Sequence, residues 1–196
     1  MRVKKELCEA GKKIDNPSVS FKSYNEDWIK YSNYNYVLVL DGSTGLGKQI
    51  APDNGKYSTM AQWFVRRFAD LIDENIDSII PTEDLVKECI RKIRKEYDAM
   101  VMIDSSLSLE EQKLLQPSAS LVLIRKLDNE IDIFSLGDIT ILVKTCDGKI
   151  REFGQNKVEA LDELVVNALI EEHQKQKKHI IEIMKQEKIQ SLLLDN

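Results

Sequence analysis

Cysteine and histidine are scarce in this chain, and their scarcity excludes several classes of protein. The three cysteines, Cys8, Cys89 and Cys146, are widely spaced and form no CxxC pair, which argues against a disulfide framework and a zinc site. The only two histidines, His173 and His179, lie about 240° apart around a helix, so they cannot share a metal ion. So few histidines do not provide a Ser-His-Asp triad or a Cys-His pair.

Long apolar runs and an excess of positive charge are also missing. No stretch approaches the roughly 18 apolar residues that identify a membrane helix, and the charged N-terminus lacks the apolar core of a signal peptide. We therefore predict a cytoplasmic protein that does not bind membranes. The formal charge of −5 argues against nucleic acid as a partner and is compatible with binding divalent cations.

The composition that remains is that of a globular protein. Of the 196 residues, 42% are hydrophobic and 31% are charged, and no repeat or linker divides the chain. We expect a single domain, with residues 1–17 as a loose lead-in, 18–153 as the core and 157–196 as a helical C-terminal segment.

The stretch Tyr36–Gly47 is the centre of the predicted fold. Its first five residues are apolar and predict a strand buried on both faces, which runs directly into Asp41 and a turn rich in glycine. The glycines let the backbone approach a ligand closely, and Asp41 can hold a hard cation or a polarised water. An ordinary strand end with an Asp-Gly turn explains these residues equally well at this point.

The same stretch overlaps a second motif that predicts a different function. Gly42–Lys48 satisfies GxxxxGK, the first part of a phosphate-binding P-loop. The next position should be Ser or Thr, to hold magnesium, but it is Gln49. Residues 50–55 include Pro and Gly and are poorly suited to the helix that must face the phosphates. A P-loop nucleotide hydrolase is therefore the less favoured alternative.

Two neighbouring carboxylates, Glu26 and Asp27, lie between two predicted strands. Val19–Tyr24 alternates as a strand does, and the tyrosine-rich stretch after Trp28 predicts a hairpin into the central strand. Such a hairpin would bring Glu26 and Asp27 near Asp41. Solvated loop charges are the commoner explanation of adjacent carboxylates in general.

The remaining periodicities predict helices followed by strands. One amphipathic helix begins after Ser58 or Thr59 and a second begins near Thr82, and each has one apolar face that should pack on a sheet. Four short β runs should form an antiparallel meander, at 120–125, 130–135, 140–144 and 149–153. An amphipathic helix over 158–169 and a charged helical stretch over 171–194 end the chain.

Four short motifs occur in an order that resembles the metal-dependent protein serine/threonine phosphatases of type 2C. They are Asn25-Glu-Asp27, Leu40-Asp-Gly42, Pro117–Leu121 and Leu136-Gly-Asp138. The resemblance implies an α+β fold, a layered α/β/β/α sandwich with metal ions at one end. The family's later metal aspartates, one of them in a Ser-Asp-Gly segment, have no counterpart here. The chain is therefore expected to match an N-terminal portion of the catalytic domain, with the sandwich incomplete at its C-terminus.

The resemblance also implies roles for individual residues. Asp41 would bridge two Mn²⁺ or Mg²⁺ ions, and the Gly42 carbonyl would join one of them. Glu26 and Asp27 would act catalytically with Asp41, through metal-bound waters. Asp138 would be a ligand of a third, more weakly held metal.

The reaction implied by the resemblance is hydrolysis of phosphoserine and phosphothreonine in proteins by a metal-activated water. Divalent ions lower the pKa of such a water, and carboxylates are the hard ligands that these ions prefer. Lys22 falls near the place where the family has an arginine that grips the substrate phosphate, and a lysine keeps the charge without the bidentate fork. Some members have a histidine where Ser43, Thr44 and Gly45 stand, so the leaving group would take its proton from water or another group.

The missing ligands leave a second function open, a catalytically silent phosphatase-like module that binds a partner. A substrate phosphoprotein is the partner expected of the enzyme. If half of the sandwich is absent, its strand edges are unpaired, and a homo-oligomer or a second chain should complete the sheets.

Overall fold

The computed structural model describes residues 25–32, 35–43, 56–101, 106–154 and 157–184, with Gln186 and Ile189. The chain divides into two compact units, Met1–Leu136 and Gly137–Asn196, and each unit is described here by itself. Helices and antiparallel sheets make up the described part, so the predicted α+β class is confirmed. The strand predicted at 19–24 lies outside the described residues. No helix in these ranges is long and apolar enough to cross a membrane.

The first unit contains a four-stranded antiparallel sheet. Its strands follow the chain in space, in the order β1-β2-β3-β4, with β1 at Trp28–Ser32, β2 at Tyr36–Ser43, β3 at Ser118–Leu127 and β4 at Glu130–Leu136. The hairpin predicted after Trp28 is confirmed, because β1 pairs with β2 and places Trp28 opposite Leu40. β2 is thus a central strand with a partner on each side.

Two long helices cover one face of this sheet, and a short one follows them. They are α1 at Met60–Asn75, α2 at Thr82–Met100 and α3 at Leu109–Leu114. Thr59 caps α1 by accepting a hydrogen bond from the backbone N–H of Gln62, as its residue type predicts. The apolar stripe predicted on α2 is buried in the core, at Leu85, Cys89, Ile93 and Tyr97.

The prediction that β2 is buried on both faces is wrong for one of them. Tyr36, Leu38 and Leu40 are buried in the core with the helices, whereas Val37 and Val39 on the other face are half-buried. Successive strand residues point to opposite faces, and the long helices of this unit pack on one face only.

Arg125 of β3 is buried, with 2% of its surface exposed, and it holds the loop between α1 and α2. Its guanidinium donates to the backbone carbonyls of Ile76, Ser78 and Ile80 at 2.8, 2.8 and 3.1 Å, and to the Thr82 hydroxyl at 3.2 Å. A buried charge needs such hydrogen bonds, because leaving it unpaired costs several kcal/mol. One side chain of the sheet therefore fixes the turn between the two helices.

Polar contacts also anchor α1 to the sheet. The Tyr36 hydroxyl donates to the Asp73 carboxylate, and the Lys30 ammonium lies 3.1 Å from the same carboxylate and 2.6 Å from Asp70. Burial, followed by the hydrogen bond to Asp73, raises the pKa of Tyr36, which therefore stays protonated and able to donate.

The Tyr36–Asp73 contact makes stability depend on pH. The hydrogen bond from Tyr36, helped by Lys30, lowers the pKa of the Asp73 carboxyl. A lowered pKa adds stability above the unfolded value of about 3.9, and this stability is lost as the pH falls through the folded value. We expect Asp73→Asn to be less stable than the wild type at pH 7, with the gap narrowing below about pH 4. Urea unfolding at several pH values measures the gap, and a constant gap would contradict the linkage.

The second unit contains a two-stranded sheet and two helices. β5 at Ile141–Lys144 pairs with β6 at Ile150–Phe153, and α4 at Lys157–Gln176 and α5 at Ile180–Met184 follow. Two helical predictions need correction here. Leu164, whose spacing predicts a place on the apolar face of the 158–169 helix, is 59% exposed. The helical stretch predicted over 171–194 is interrupted, because α4 ends at Gln176, before Lys177, whose φ is +54°, and the next described helix is α5.

The predicted four-strand meander is wrong at its middle connection. Among the described strands, β5 pairs with β6 alone, and β4 has no hydrogen-bonded ladder to β5. The interruption follows Gly137, whose φ of +93° is unfavourable for other residues, and residues 137–140 belong to no strand. Two separate hairpins thus replace the continuous meander.

Candidate functional site

Two of the four sequence motifs meet where β2 ends. The last three residues of β2, Asp41–Ser43, pair with Ser118–Ser120 at the start of β3, so that Asp41 lies opposite Ser120. Asp41 is exposed. The small residues of β3 therefore flank an accessible carboxylate without crowding it.

The Asn25-Glu-Asp27 motif reaches the same end of the sheet from the other side. β1 and β2 pair with Trp28 opposite Leu40, and continuing this register places Asp27 opposite Asp41 and Glu26 opposite Gly42. The backbone supports the continuation, because a Cβ built on Gly42 would lie 2.6 Å from the carbonyl oxygen of Glu26. Three motifs that are distant in the sequence thus share one edge of the site.

The alternation of side chains along a strand separates these carboxylates into two groups. Asp27 and Asp41 belong to the face away from α1. Glu26 belongs to the opposite face, where its Cβ would lie 3.3 Å from a Cβ on Gly42 and where the Val65 side chain of α1 would lie 2.8 Å from it. The continued register therefore places Asp27 and Asp41 on one face of the hairpin, and Glu26 lies beside the backbone of Gly42.

Gly42 is needed because its neighbours leave no space for a side chain. A methyl group there would overlap the Glu26 carbonyl and Val65, and the carbonyl belongs to the backbone, so the strands themselves must shift. We expect Gly42→Ala to lower the free energy of unfolding by about 1–3 kcal/mol, as overpacking does. Gly154→Ala is the matched control, since its nearest neighbour would be 3.4 Å away. Urea unfolding measures the stability of both variants. Equal losses of stability would contradict the close approach of the Glu26 carbonyl and Val65 to Gly42.

A buried glutamine holds the segment that carries Glu26 and Asp27. The side chain of Gln62 donates to the carbonyl of Asn25 at 2.9 Å and accepts from the N–H of Ser58 at 2.9 Å. Asn25 in turn accepts a hydrogen bond from the N–H of Asp27 at 2.8 Å. Sequence reasoning missed Gln62, although Thr59-Met-Ala-Gln62 has the spacing of a capping box, in which a glutamine side chain reaches back to the chain before the helix.

The next turn of α1 holds the start of β1. The guanidinium of Arg66 lies over the ring of Trp28, 4.9 Å from its centroid, and 5.8 Å from the centroid of the Tyr57 ring. Such cation–π contacts add about 0.5–1 kcal/mol each at partly exposed sites. Trp28 is half-buried against the core, which fixes the chain directly after Asp27.

The remaining predicted site residues are Lys22, the P-loop residues and Asp138. Lys22 and most of the P-loop motif, residues 44–48, lie outside the described residues. Gly42 and Ser43 are paired strand residues, whereas a P-loop begins as a loop, so this part of the rival motif lacks its structural context. Asp138 follows Gly137 in the second unit, is exposed, and remains a predicted ligand.

The oxygen donors at the end of β2 suit a hard divalent cation. Within the part of the chain that the structure describes, no three His, Cys, Asp or Glu side chains lie close enough to hold one ion together. Mg²⁺, however, is usually bound through one or two carboxylates and keeps several waters. The Asp41 carboxylate and the Gly42 carbonyl could hold such an ion, and Asp27 could reach it through one of its waters.

Comparison with known proteins relates the chain to one family. The family described as protein phosphatase 2C matches residues 22–194. The crystal structure of the Mycobacterium tuberculosis serine/threonine phosphatase PstP/Ppp is similar at a TM-score of 0.48 and 14% identity, over 73% of this chain and 54% of that one. The chain thus spans about half the length of that structure. No curated protein sequence matches this chain.

Proposed function

The chain belongs to the protein phosphatase 2C family, and on this premise we propose that it hydrolyses phosphoserine and phosphothreonine in proteins with Mn²⁺ or Mg²⁺ as cofactor. The observation that carries the proposal is the β1–β2 register, because its continuation past Trp28 places Asp27 opposite the exposed Asp41 on one face of the hairpin. Three of the four motifs of the resemblance meet there, although they lie up to 95 positions apart, from Asn25 to Ser120.

Each residue has a task that its position allows. Asp41 and the Gly42 carbonyl would hold the cation, and Asp27, on the same face as Asp41, would orient the attacking water and accept a hydrogen bond from it. The divalent cation, when bound, lowers the pKa of water and neutralises the charge of the phosphate. Glu26 would accept a hydrogen bond from a metal-bound water on the α1 side of the strand.

Two further residues complete the proposal. Lys22 would attract the substrate phosphate, and Asp138 would be the ligand of a more weakly held ion. The exposure of Asp41 suits a phosphate carried on the surface of a protein, because a large substrate cannot enter an enclosed cavity. The proposed substrate is therefore a phosphoprotein.

Hydrolysis of p-nitrophenyl phosphate and of a phosphoserine peptide tests the function. We expect turnover with Mn²⁺, its loss in EDTA and its return when Mn²⁺ is added back, because metal activation of water supplies several kcal/mol of the rate acceleration. Circular dichroism in EDTA controls for unfolding. Equal rates in Mn²⁺ and EDTA, with the protein folded in both, would contradict the proposal.

A catalytically silent binding module is the second candidate. It is favoured by the lack of a three-ligand metal cluster within the residues that the structure describes. A silent module would bind a phosphopeptide and show no Mn²⁺-dependent turnover, even at a high enzyme concentration. The same assay, combined with calorimetric titration of the peptide, separates the two candidates.

A further inference from the structure

The side chain of Gln62 makes two hydrogen bonds, and only one of them belongs to the start of a helix. It lies in the first turn of α1, is 9% exposed, and has both ends of its amide bonded. The oxygen accepts from the N–H of Ser58, a bond that belongs to the helix start. The nitrogen donates to the carbonyl of Asn25, which lies 37 positions earlier in the chain and outside the helix.

The bond from Gln62 to Asn25 is connected to Asp27, a proposed site residue. The side-chain oxygen of Asn25 accepts from the N–H of Asp27 at 2.8 Å, so Gln62, Asn25 and Asp27 form one connected chain of hydrogen bonds. The same side of α1 presents Val65 to Gly42 and Arg66 to Trp28, as the spacing of three and four residues allows. The first half of α1 therefore contacts both strands of the site, β1 and β2.

We propose that Gln62 is a positioning residue of the metal site. Its side-chain N–H holds the segment of Asn25 and Asp27 so that the Asp27 carboxylate stays opposite Asp41. The inference rests on the proposed function, because it assigns Gln62 a task in that same site. Groups that orient a residue bonded to the waters of an ion change the affinity for the ion without touching it.

The variant Gln62→Glu separates positioning from helix capping. A glutamate keeps the acceptor for the Ser58 N–H, and it is favourable in the first turn of a helix. It loses the donor to Asn25 and places a carboxylate oxygen against a carbonyl oxygen. We expect Mn²⁺ affinity, measured by calorimetric titration of the folded protein without substrate, to fall about 10-fold. The urea midpoint should fall as well, because the carboxylate is buried without a donor. A purely capping role predicts no change in affinity.

Two further variants make the test specific. Gln112→Glu is the matched control, because the Gln112 side chain also donates to a backbone carbonyl, that of Leu107, at 3.0 Å, and this carbonyl belongs to none of the proposed site residues. It should leave the Mn²⁺ affinity unchanged. In an Asp27→Asn background, Gln62→Glu should weaken binding much less than in the wild type, since positions that act through one another are not additive.

Hydrogen exchange distinguishes failure of this inference from failure of the proposed function. The N–H of Asp27 should lose protection in Gln62→Glu, and this readout needs no metal. Unchanged protection and unchanged Mn²⁺ affinity in that variant would overturn the inference while the phosphatase function stands. A wild-type protein that binds no Mn²⁺ would overturn the proposed function and the metal part of the inference, and the exchange rate would still report whether Gln62 holds the segment.

Discussion

Asp41→Asn should lower Mn²⁺-dependent hydrolysis of p-nitrophenyl phosphate by at least about 100-fold. Changes to residues that only orient metal ligands cost about 10- to 100-fold, and a ligand itself should cost more. The substitution keeps the size of the side chain and one oxygen, but it removes the negative charge that attracts a divalent cation. Because Asp41 is exposed at the end of β2, the fold should tolerate the change.

The control for Asp41→Asn is an aspartate of similar exposure away from the site. Asp98→Asn removes an exposed ion pair with Arg94 on α2, in which the nitrogen and oxygen are 3.0 Å apart, and should leave the rate within about two-fold of the wild type. Calorimetric titration with Mn²⁺ supplies a second measurement. Wild-type rate and wild-type affinity in Asp41→Asn would show that Asp41 is not a ligand.

Arg125→Met should destabilise the protein by at least about 3 kcal/mol, the largest effect on folding that we expect. Methionine fills a similar volume, but the carbonyls of Ile76, Ser78 and Ile80 lose their donor. Each buried group left unpaired costs about 1–3 kcal/mol. The loss should be measured as the free energy of unfolding in urea.

A second consequence follows from the hydroxyl of Thr82. It accepts from Arg125 and donates to Asp132, which lies opposite Arg125 in the β3–β4 pairing. Arg125→Met therefore also disturbs the contact of α2 with β4. Arg94→Met, which breaks only exposed contacts with Asp98 and Gln116, should cost less than about 1 kcal/mol. Equal losses in the two variants would mean that the loop does not depend on Arg125.

The local elements of the fold could be predicted from neighbouring residues. The starts of α1 and α2 were predicted after Ser58 or Thr59 and near Thr82, and the single apolar face predicted for α2 is its buried face. These signals act within a few residues of one another, so they are legible in the sequence. The order of the four phosphatase motifs over residues 25–138 indicated the family, and the match over residues 22–194 confirms it.

Contacts between distant segments could not be predicted so directly. The sequence placed Asp41 at a strand end, but only strand pairing set it opposite Ser120 and gave the register that brings Asp27 to it. A shift of one residue would have turned Asp41 to the other face. The break in the predicted meander depended likewise on the backbone at Gly137, since a glycine accepts several conformations.

Gln62 and Arg125 show the same difference between local signals and distant contacts. Their residue types identify them as hydrogen-bond donors, yet nothing within several positions of either residue indicates the acceptors of these bonds, which lie 37 and 43–49 positions away. Both are polar residues that packing has buried, and burial obliges them to find acceptors. Periodicity and capping are local and were enough for the helices and strands. Partner choice needed the fold, because it depends on which distant backbone groups come within hydrogen-bonding distance.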